Sequence, residues 1–591
     1  MTSRRMNVLR QTGQRVAGAV IAGMACLGAL SIAVGLPRGA VVASVGATGG
    51  ASSQPVLARH GMVVSQEPLA TGVGVDVLRD GGTAVDATVA TAFALAVTHP
   101  TAGNIGGGGF LLVRSASGET VAYDFRETAP AASAPDMFLV DGAYDRARHH
   151  NSHWAVGVPG TVAGLHLAWT EHGSLPWRRL VEPAIALAHD GFAISPGLAR
   201  SLNAVLPRMQ PYSASIATFS KNGVPYEVGE RLQQPALALT LERIAADGPD
   251  GFYRGSTAEF IDAEMRANGG LITREDLAAY RPVRREPLTG TYRGYDIESM
   301  PPISSGGTAL IQMLNILEGF DLTGSGFGSA RTMHWMTEAM RRAYADRARY
   351  LGDPDFNRQM PLTRLTSKEY GRELRETIHP DHASGSSPDS FQWPVEGDET
   401  THVSVVDDAR NAVAMTYTLE QGYGSKIVVP GGGFLLNNEM GDFNAGPDLT
   451  TVDGLIGTRP NLAEPGKRML SSMTPTIVTR DGRLVLVTGS PGGRTIINTV
   501  LQTIVNVIDF GMNVQEAVDA PRFHHQWLPD RIVHERLGFS PDTLALLEER
   551  GHRLTERVRQ GAVQAIGYDA ETDVLSGAPD RRAAGSTAVG Y

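Results

Sequence analysis

The chain has one cysteine in 591 residues, and that one, Cys26, lies in an apolar run near the N-terminus. The remainder therefore carries no internal disulfide, no thiolate metal site and no cysteine nucleophile. An excess of positive charge is missing too: 52 Lys and Arg stand against 62 Asp and Glu, giving a net charge of -10 and a pI near 5.9. With no basic footprint, nucleic acid is not an expected partner. No Gly-x-Ser-x-Gly elbow occurs, which argues against an α/β-hydrolase serine. The glycine run Gly106 to Gly109 lacks the strand–GxGxxG–helix context of a dinucleotide site. His149, His150 and His153, and the pair His524-His525, have no carboxylates at matching spacing, so they read as loop histidines rather than metal ligands.

What is present begins with Arg4, Arg5, Arg10 and Arg15, followed by an apolar run from Val16 to Leu36 and then small residues through Ala43 and Ala47. Positive, apolar, small is the order of a secretory signal. The run is also just long enough to span a bilayer, so an uncleaved anchor stays open beside a removed signal. Either way the chain is expected to be exported, to a periplasm or to the medium. Residues 37–56 are rich in Gly, Ala and Ser and read as a linker, with ordered structure from about Ala58.

Beyond the linker, helices are expected from Pro68 to Arg79 and from Thr83 to Val97, the second with Val85, Val89, Phe93 and Val97 on one stripe. Strands follow at Phe110 to Arg114 and Val121 to Arg126, and the middle, from about Trp154 to Tyr350, reads as mostly helical. Residues 384–398 are a polar break with Pro388 and Pro394. Two alternating hairpins come after it, at 402–406 with 412–418 and at 475–479 with 484–488, and an amphipathic helix runs from Ile496 to Ile508. Hairpins packed on such helices predict layered α+β rather than a doubly wound parallel sheet.

Several strings carry chemistry. Glu399-Thr400-Thr401-His402 joins the polar break to the first hairpin. A threonine pair at a strand start is ordinary by composition. Yet a threonine that attacked the preceding carbonyl would free its own α-amine, which titrates near 8 and can take the hydroxyl proton. Ser490-Pro491-Gly492-Gly493 opens the last long helix, and glycine amides at a helix start suit an oxyanion, or simply a tight turn. Arg126 could grip a carboxylate with its planar fork, or pair locally with Glu127 or Asp124. Ser471-Ser472 offers hydroxyls and amides, and Asn437-Asn438-Glu439 with Asp442 forms an acidic cluster able to hold an ammonium.

In order along the chain, GGTAVDA, THPTAGNIGGGGF, DFRETAP, ETTHVSVVD, LLNNEMGDF, LSSMTPTIV, VTGSPGG and APRFHHQWLPD make the sequence resemble the γ-glutamyltransferase (γ-glutamyltranspeptidase) family of N-terminal-nucleophile hydrolases, from about Gly61 to Tyr591. The resemblance implies a four-layer αββα sandwich, cut before Thr400. Residues 1–54 would be the signal or anchor and linker, 55–399 the large chain and 400–591 the small chain, the last two remaining associated. It implies Thr400 as nucleophile, Thr418 hydrogen-bonded to it, and Gly492 and Gly493 as the oxyanion hole. Arg126, Ser471 and Ser472 would take the α-carboxylate of a γ-glutamyl group, and Glu439 and Asp442 its ammonium. The substrate would be a glutathione-like γ-glutamyl amide and the acceptor water or an amino acid or peptide, with no cofactor or metal. Two positions depart from the family: Glu420 stands where many members carry asparagine, and Asp453 where several bacterial members carry an aromatic residue. Glu420 is accordingly expected to join the ammonium site. The alternatives are an acylase of the same fold acting on glutaryl-type amides and an inactive exported binding protein.

Overall fold

A strand in a sheet covered by other layers on both faces is buried along its whole length even where its sequence alternates. In the computed structural model, Gly108–Arg114, Thr400–Val406 and Ala412–Thr418 are buried along their whole lengths. Residues 53–387, 400–449 and 457–591 are described. The N-terminal basic and apolar run with Cys26, most of the polar break, Glu399 and Asp453 lie outside them.

Two seven-stranded antiparallel sheets make the centre. One runs in the order Thr587–Gly590, Met62–Ser65, Thr400–Val406, Ala412–Thr418, Gly108–Arg114, Thr120–Asp124, Val283–Arg285. The other runs Val56–Ala58, Val574–Pro579, Gln564–Asp569, Arg483–Gly489, Thr476–Arg480, Tyr295–Ser299, Leu288–Tyr292. Side chains alternate between faces with a period of two. Phe110, Leu112, Ala412 and Ala414 enter the core shared with Ile477, Val487 and Ile566 of the facing sheet. Leu111, Val113, Val413 and Met415 enter the core shared with helices Pro68–Arg79 and Ala84–Thr98. Helices Gly306–Leu317 and Thr495–Ile508 cover the outer face of the second sheet. The result is the expected four-layer αββα sandwich.

Two expectations need adjustment. Helix Ala84–Thr98 is capped by Thr83, whose hydroxyl accepts from the Asp86 amide while the Asp86 carboxylate accepts from the Thr83 amide. All of its residues are buried, not one stripe, because helices Thr161–His172 and Trp177–Asp190 cover the face turned away from the sheet. The mostly helical middle also supplies Val283–Arg285, Leu288–Tyr292 and Tyr295–Ser299, which form one edge of each sheet. The edge strand Val283–Arg285 carries Arg284 and Arg285, and Tyr295–Ser299, next to the other edge, carries Asp296 and Glu298, so the apolar pattern that marks a strand in sequence is weak in both.

The register positions the site. Thr400 is directly opposite Thr418, and Thr418 opposite Gly108 on its other side. Arg126 follows the adjoining strand two residues after Asp124, which pairs with Phe110. The glycine run is explained by this close approach: a Cβ on Gly107 would lie 2.0 Å from the Thr418 carbonyl oxygen and one on Gly109 2.5 Å from that of Thr416. Among the described residues, no helix is long and apolar enough to cross a membrane.

Candidate active site

Thr400, Thr418, Arg126, Glu420, Glu439, Asp442, Ser471, Ser472 and Gly493 line one small cleft, together with Met473 and Ile496. Gly492 adjoins it through Gly493. The polar residues singled out in the sequence thus converge, although they are spread over more than 360 positions of the chain. Glu399 lies outside the described residues.

Thr400 begins its strand 6% exposed, and its Oγ1 donates to Thr418 Oγ1 over 3.4 Å. Thr418 Oγ1 also accepts from the Glu420 amide at 2.9 Å. Its own carbonyl accepts from Asn104 Nδ2 at 2.9 Å. A buried hydroxyl pair at a strand end is thereby held on one side by a turn and on the other by an asparagine.

The turn before helix Thr495–Ile508 has Gly492 at φ +133° and Gly493 at φ +53°, backbone that side chains rarely adopt. Thr495 fixes it, donating from its amide (3.0 Å) and its hydroxyl (2.7 Å) to the Gly492 carbonyl. Neither glycine amide has a backbone acceptor among the described residues. Both sit at the positive end of a fourteen-residue helix, where an anion is favoured.

Arg126 is fully buried. Its terminal nitrogens donate to Glu439 Oε1 and Asp442 Oδ2, and its Nε to the Met469 carbonyl at 3.3 Å. The local pairing read from sequence is secondary: Glu127 Oε2 is 3.8 Å from Arg126, while Asp124 serves Arg285 at 2.8 Å and Arg468 at 3.5 Å. Arg126 and the acidic cluster, assigned separately to carboxylate and ammonium, are therefore in direct contact with each other. Burial works against the charge on Arg126, but Glu439, Asp442 and Glu127 outweigh it and hold the guanidinium protonated. Burial drives the Glu439 carboxyl well above the usual carboxylate range; Arg126 opposes this, and Glu127, Asp442 and Glu420 reinforce it. Glu127 is pushed up to about 8, first by burial and against the pull of Arg126.

Glu420 sits at φ +77° after the Thr418 strand, with Oε2 accepting from Asn438 Nδ2 and Oε1 3.7 Å from His150 Nδ1. Asn438 in turn donates to the His150 carbonyl at 3.1 Å. Ser471 is held by its carbonyl, which accepts from the amide (2.8 Å) and hydroxyl (2.6 Å) of Ser305.

His149 and His150 lie in helix Arg146–His150, His153 in the short 3-10 helix His153–Ala155 and His524 in strand Phe523–His524, while His525 is in the loop that follows. His149, His150, His524 and His525 are buried, and burial lowers His524 to about 3 and His525 to about 4, keeping both neutral. Another buried group, His334, Glu338 and His552, brings three potential ligand atoms within 4.8 Å of one another. His334 Nδ1 meets His552 Nε2 at 2.8 Å, and Glu338 pairs with Arg341 and Arg342.

The family model described as Gamma-glutamyltranspeptidase matches residues 70–590. The chain belongs to the gamma-glutamyltranspeptidase family. Among its relatives, the glutathione hydrolase proenzyme of Escherichia coli (strain K12) is 52% identical over 544 residues, spanning 91% of this chain and 93% of that one. Two solved structures resemble this gamma-glutamyltranspeptidase family member. Cephalosporin acylase from Bacillus halodurans has a TM-score of 0.81 at 30% identity, covering 92% of this chain and 98% of that one. Helicobacter pylori gamma-glutamyltranspeptidase has a TM-score of 0.54 at 45% identity, covering 56% of this chain and 94% of that one. The fold is thus that of N-terminal-nucleophile hydrolases, and the family is one of enzymes.

Sequence reasoning missed Ser305 and Arg347, which stand behind the serine pair. Neither belongs to a motif of its own, and no spacing relates them to Ser471 and Ser472.

Proposed function

We propose that the chain is an exported, self-cleaving γ-glutamyl transferase/hydrolase. It moves the γ-glutamyl group of glutathione and related amides to water or to an amino acid or peptide. Maturation divides residues 55–399 from 400–591: Thr400 Oγ1 attacks the Glu399 carbonyl, the peptide becomes an ester, and water releases it, leaving a free α-amine on Thr400. That amine then takes the hydroxyl proton as Thr400 attacks the donor's γ-carbonyl. The Gly492 and Gly493 amides stabilise the oxyanion, the leaving amine departs, and water or an acceptor amine resolves the acyl-enzyme. Arg126 with Ser471 and Ser472 takes the donor's α-carboxylate, and Glu420, Glu439 and Asp442 its ammonium. Thr418 positions the nucleophile.

The observation that carries this reading is the single cleft in which the buried Thr400 hydroxyl faces both a guanidinium and a surplus of carboxyl groups. Such a mixed site suits a zwitterion attached to an acyl group. Mass spectrometry of the purified protein tests it, together with hydrolysis of a γ-glutamyl anilide. A new N-terminus at Thr400 and anilide turnover are expected. Thr400→Ala should remain one uncut, inactive chain, and a fully cut Thr400→Ala protein would sink the mechanism.

The acylase reading is kept by the similarity to a cephalosporin acylase structure. A glutaryl anilide, which lacks the amine, separates the two: preference for it over the γ-glutamyl anilide would favour the acylase.

A further inference from the structure

Helix Ala330–Tyr350 carries His334 and Glu338 four residues apart, and therefore on one face. His552, which follows helix Pro541–Glu549, meets them there. One potential ligand atom from each of the three lies within 4.8 Å of the others. All three residues are buried, and none of them lines the cleft around Thr400.

The hydrogen bonds turn a nitrogen lone pair into the middle of this group. The His379 carbonyl only accepts, so His334 Nε2, 2.7 Å away, carries the ring hydrogen, and Nδ1 of the neutral ring is a bare lone pair. A ring that donates one N–H to a backbone carbonyl and turns its other nitrogen inward is oriented as metal-bound histidines are. His552 Nε2 meets that lone pair at 2.8 Å. His552 Nδ1 is buried with no hydrogen-bond partner among the described residues, so the ring is held at one end and its hydrogen can shift to Nδ1. A tetrahedral ion with bonds of about 2.1 Å spaces its ligand atoms about 3.4 Å apart, a small widening of the present gap. Glu338 is already oriented. Its Oε1 accepts from Arg341 Nε at 3.3 Å and the Ser384 amide at 3.0 Å, and its Oε2 from Arg342 Nη1 at 2.6 Å.

We propose that His334, Glu338 and His552 form a binding site for a divalent transition-metal ion of the zinc type, held by two imidazoles and one carboxylate. Nitrogen rather than charge selects the ion. Arg341 and Arg342 lie against the one carboxylate, which disfavours ions held by charge and oxygen, such as Ca²⁺ and Mg²⁺, whereas imidazole suits zinc. Asp530, which accepts from Arg341, offsets part of the positive charge. The site lies beneath a surface segment, whose His379 carbonyl and Ser384 amide form its cover. His334 and Glu338 precede Thr400 and His552 follows it, so a bound ion cross-links the two sides of the cut. The site itself requires neither the cut nor the γ-glutamyl reading.

Untagged protein, dialysed against a chelator and then against plain buffer, is titrated with Zn²⁺ alone in a calorimeter. One ion per chain is expected, with no comparable heat from Ca²⁺ or Mg²⁺. His334→Gln and His552→Gln should each weaken Zn²⁺ binding by about 100-fold or more, because even a residue that only orients a ligand is worth about 10- to 100-fold. Zn²⁺ should raise the thermal midpoint of wild type and leave that of His552→Gln unmoved. The exposed pair His379 and His382, with ring centroids 4.7 Å apart, is the rival chelator, so His382→Ala should bind as wild type does. If the glutamine variants do not fold, Co²⁺ replaces Zn²⁺ in wild type and in His382→Ala, and both should show the intense visible absorption of a four- or five-coordinate ion. Wild type that binds no Zn²⁺, full binding in the glutamine variants, binding lost in His382→Ala, or the weak spectrum of hydrated Co²⁺ would each overturn the proposal.

Discussion

Arg126 brings one positive charge to a place where Glu127, Glu420, Glu439 and Asp442 bring four carboxyl groups. Burial makes that surplus costly, so the cluster retains protons, above all on Glu439 and Glu127. A substrate ammonium can replace a proton there. Donor binding should therefore release protons and weaken as pH falls through the raised carboxyl values, because the protonated cluster no longer attracts a cation. Glu420→Asn removes one of the carboxylates that raise Glu439 and should flatten this acid limb while leaving γ-glutamyl turnover intact. The comparison is kcat/KM against pH for both proteins, and coincident acid limbs would take Glu420 out of the ammonium site. Arg126→Lys tests the other charge. Lysine cannot reach Glu439, Asp442 and a carboxylate with one fork, so kcat/KM should fall by about 10- to 100-fold while the cut before Thr400 still occurs. Unchanged kinetics would remove Arg126 from substrate binding.

At the scale of elements, the segment that follows helix Lys368–Glu376 is tied down from two directions. Helix Ala330–Tyr350 supplies Arg342 to the Thr377 carbonyl (2.9 Å), His334 Nε2 to the His379 carbonyl (2.7 Å) and Glu338 Oε1 as acceptor for the Ser384 amide (3.0 Å). Residues after Thr400 supply the Arg550 carbonyl to the Ala383 amide (2.7 Å) and Asp530 Oδ2 to the Ser386 amide (2.8 Å). Asp530 also accepts from Arg341, and His525 Nε2 lies 3.1 Å from it. Asp530→Ala should lower the thermal midpoint and make residues 377–387 a site of early proteolysis, read by limited digestion and mass mapping. Unaltered digestion would show that the helix ties suffice. Acid should do the same. Burial raises the Glu338 carboxyl, but Arg341, Arg342 and the Ser384 contact outweigh it and bring it down to about 2. A depressed carboxylate contributes stability that is complete above its unfolded value, near 4.5, and lost as pH falls toward 2. Early cleavage in this segment should appear across that window and not at pH 6.

For the whole molecule, the consequence of a cut before Thr400 lies in the strand order. Thr400–Val406 pairs with Met62–Ser65, Ala412–Thr418 with Gly108–Arg114, and Thr476–Arg480 with Tyr295–Ser299. Val574–Pro579 pairs with Val56–Ala58, and Thr587–Gly590 with Met62–Ser65. Both seven-stranded sheets are thus interleaved from the two sides of the cut, and neither of them, nor the core between them, is built from one side alone. The cut protein should run as two bands on a denaturing gel but as one particle of undivided mass in native mass spectrometry. Separation without denaturant would contradict the interleaving.

The sequence by itself determined the local chemistry and the class of fold. Alternation around the turns at 407–411 and 480–482 fixed two hairpins, because a period of two admits no helix, and the capped and amphipathic stretches fixed the helices against them. Its motifs named the threonine, the glycine turn, the guanidinium and the acids, since each chemistry needs a particular functional group. It could not show that Arg126 is shared with Glu439 and Asp442, that His149 and His525 are buried, or that short strands from the mostly helical middle complete both sheets. Arg347 behind Ser472 left no signal at all. Those facts depend on which elements pack together and in what register. They arise from contacts between residues hundreds of positions apart, and periodicity and spacing, being local properties of the chain, carry no record of them.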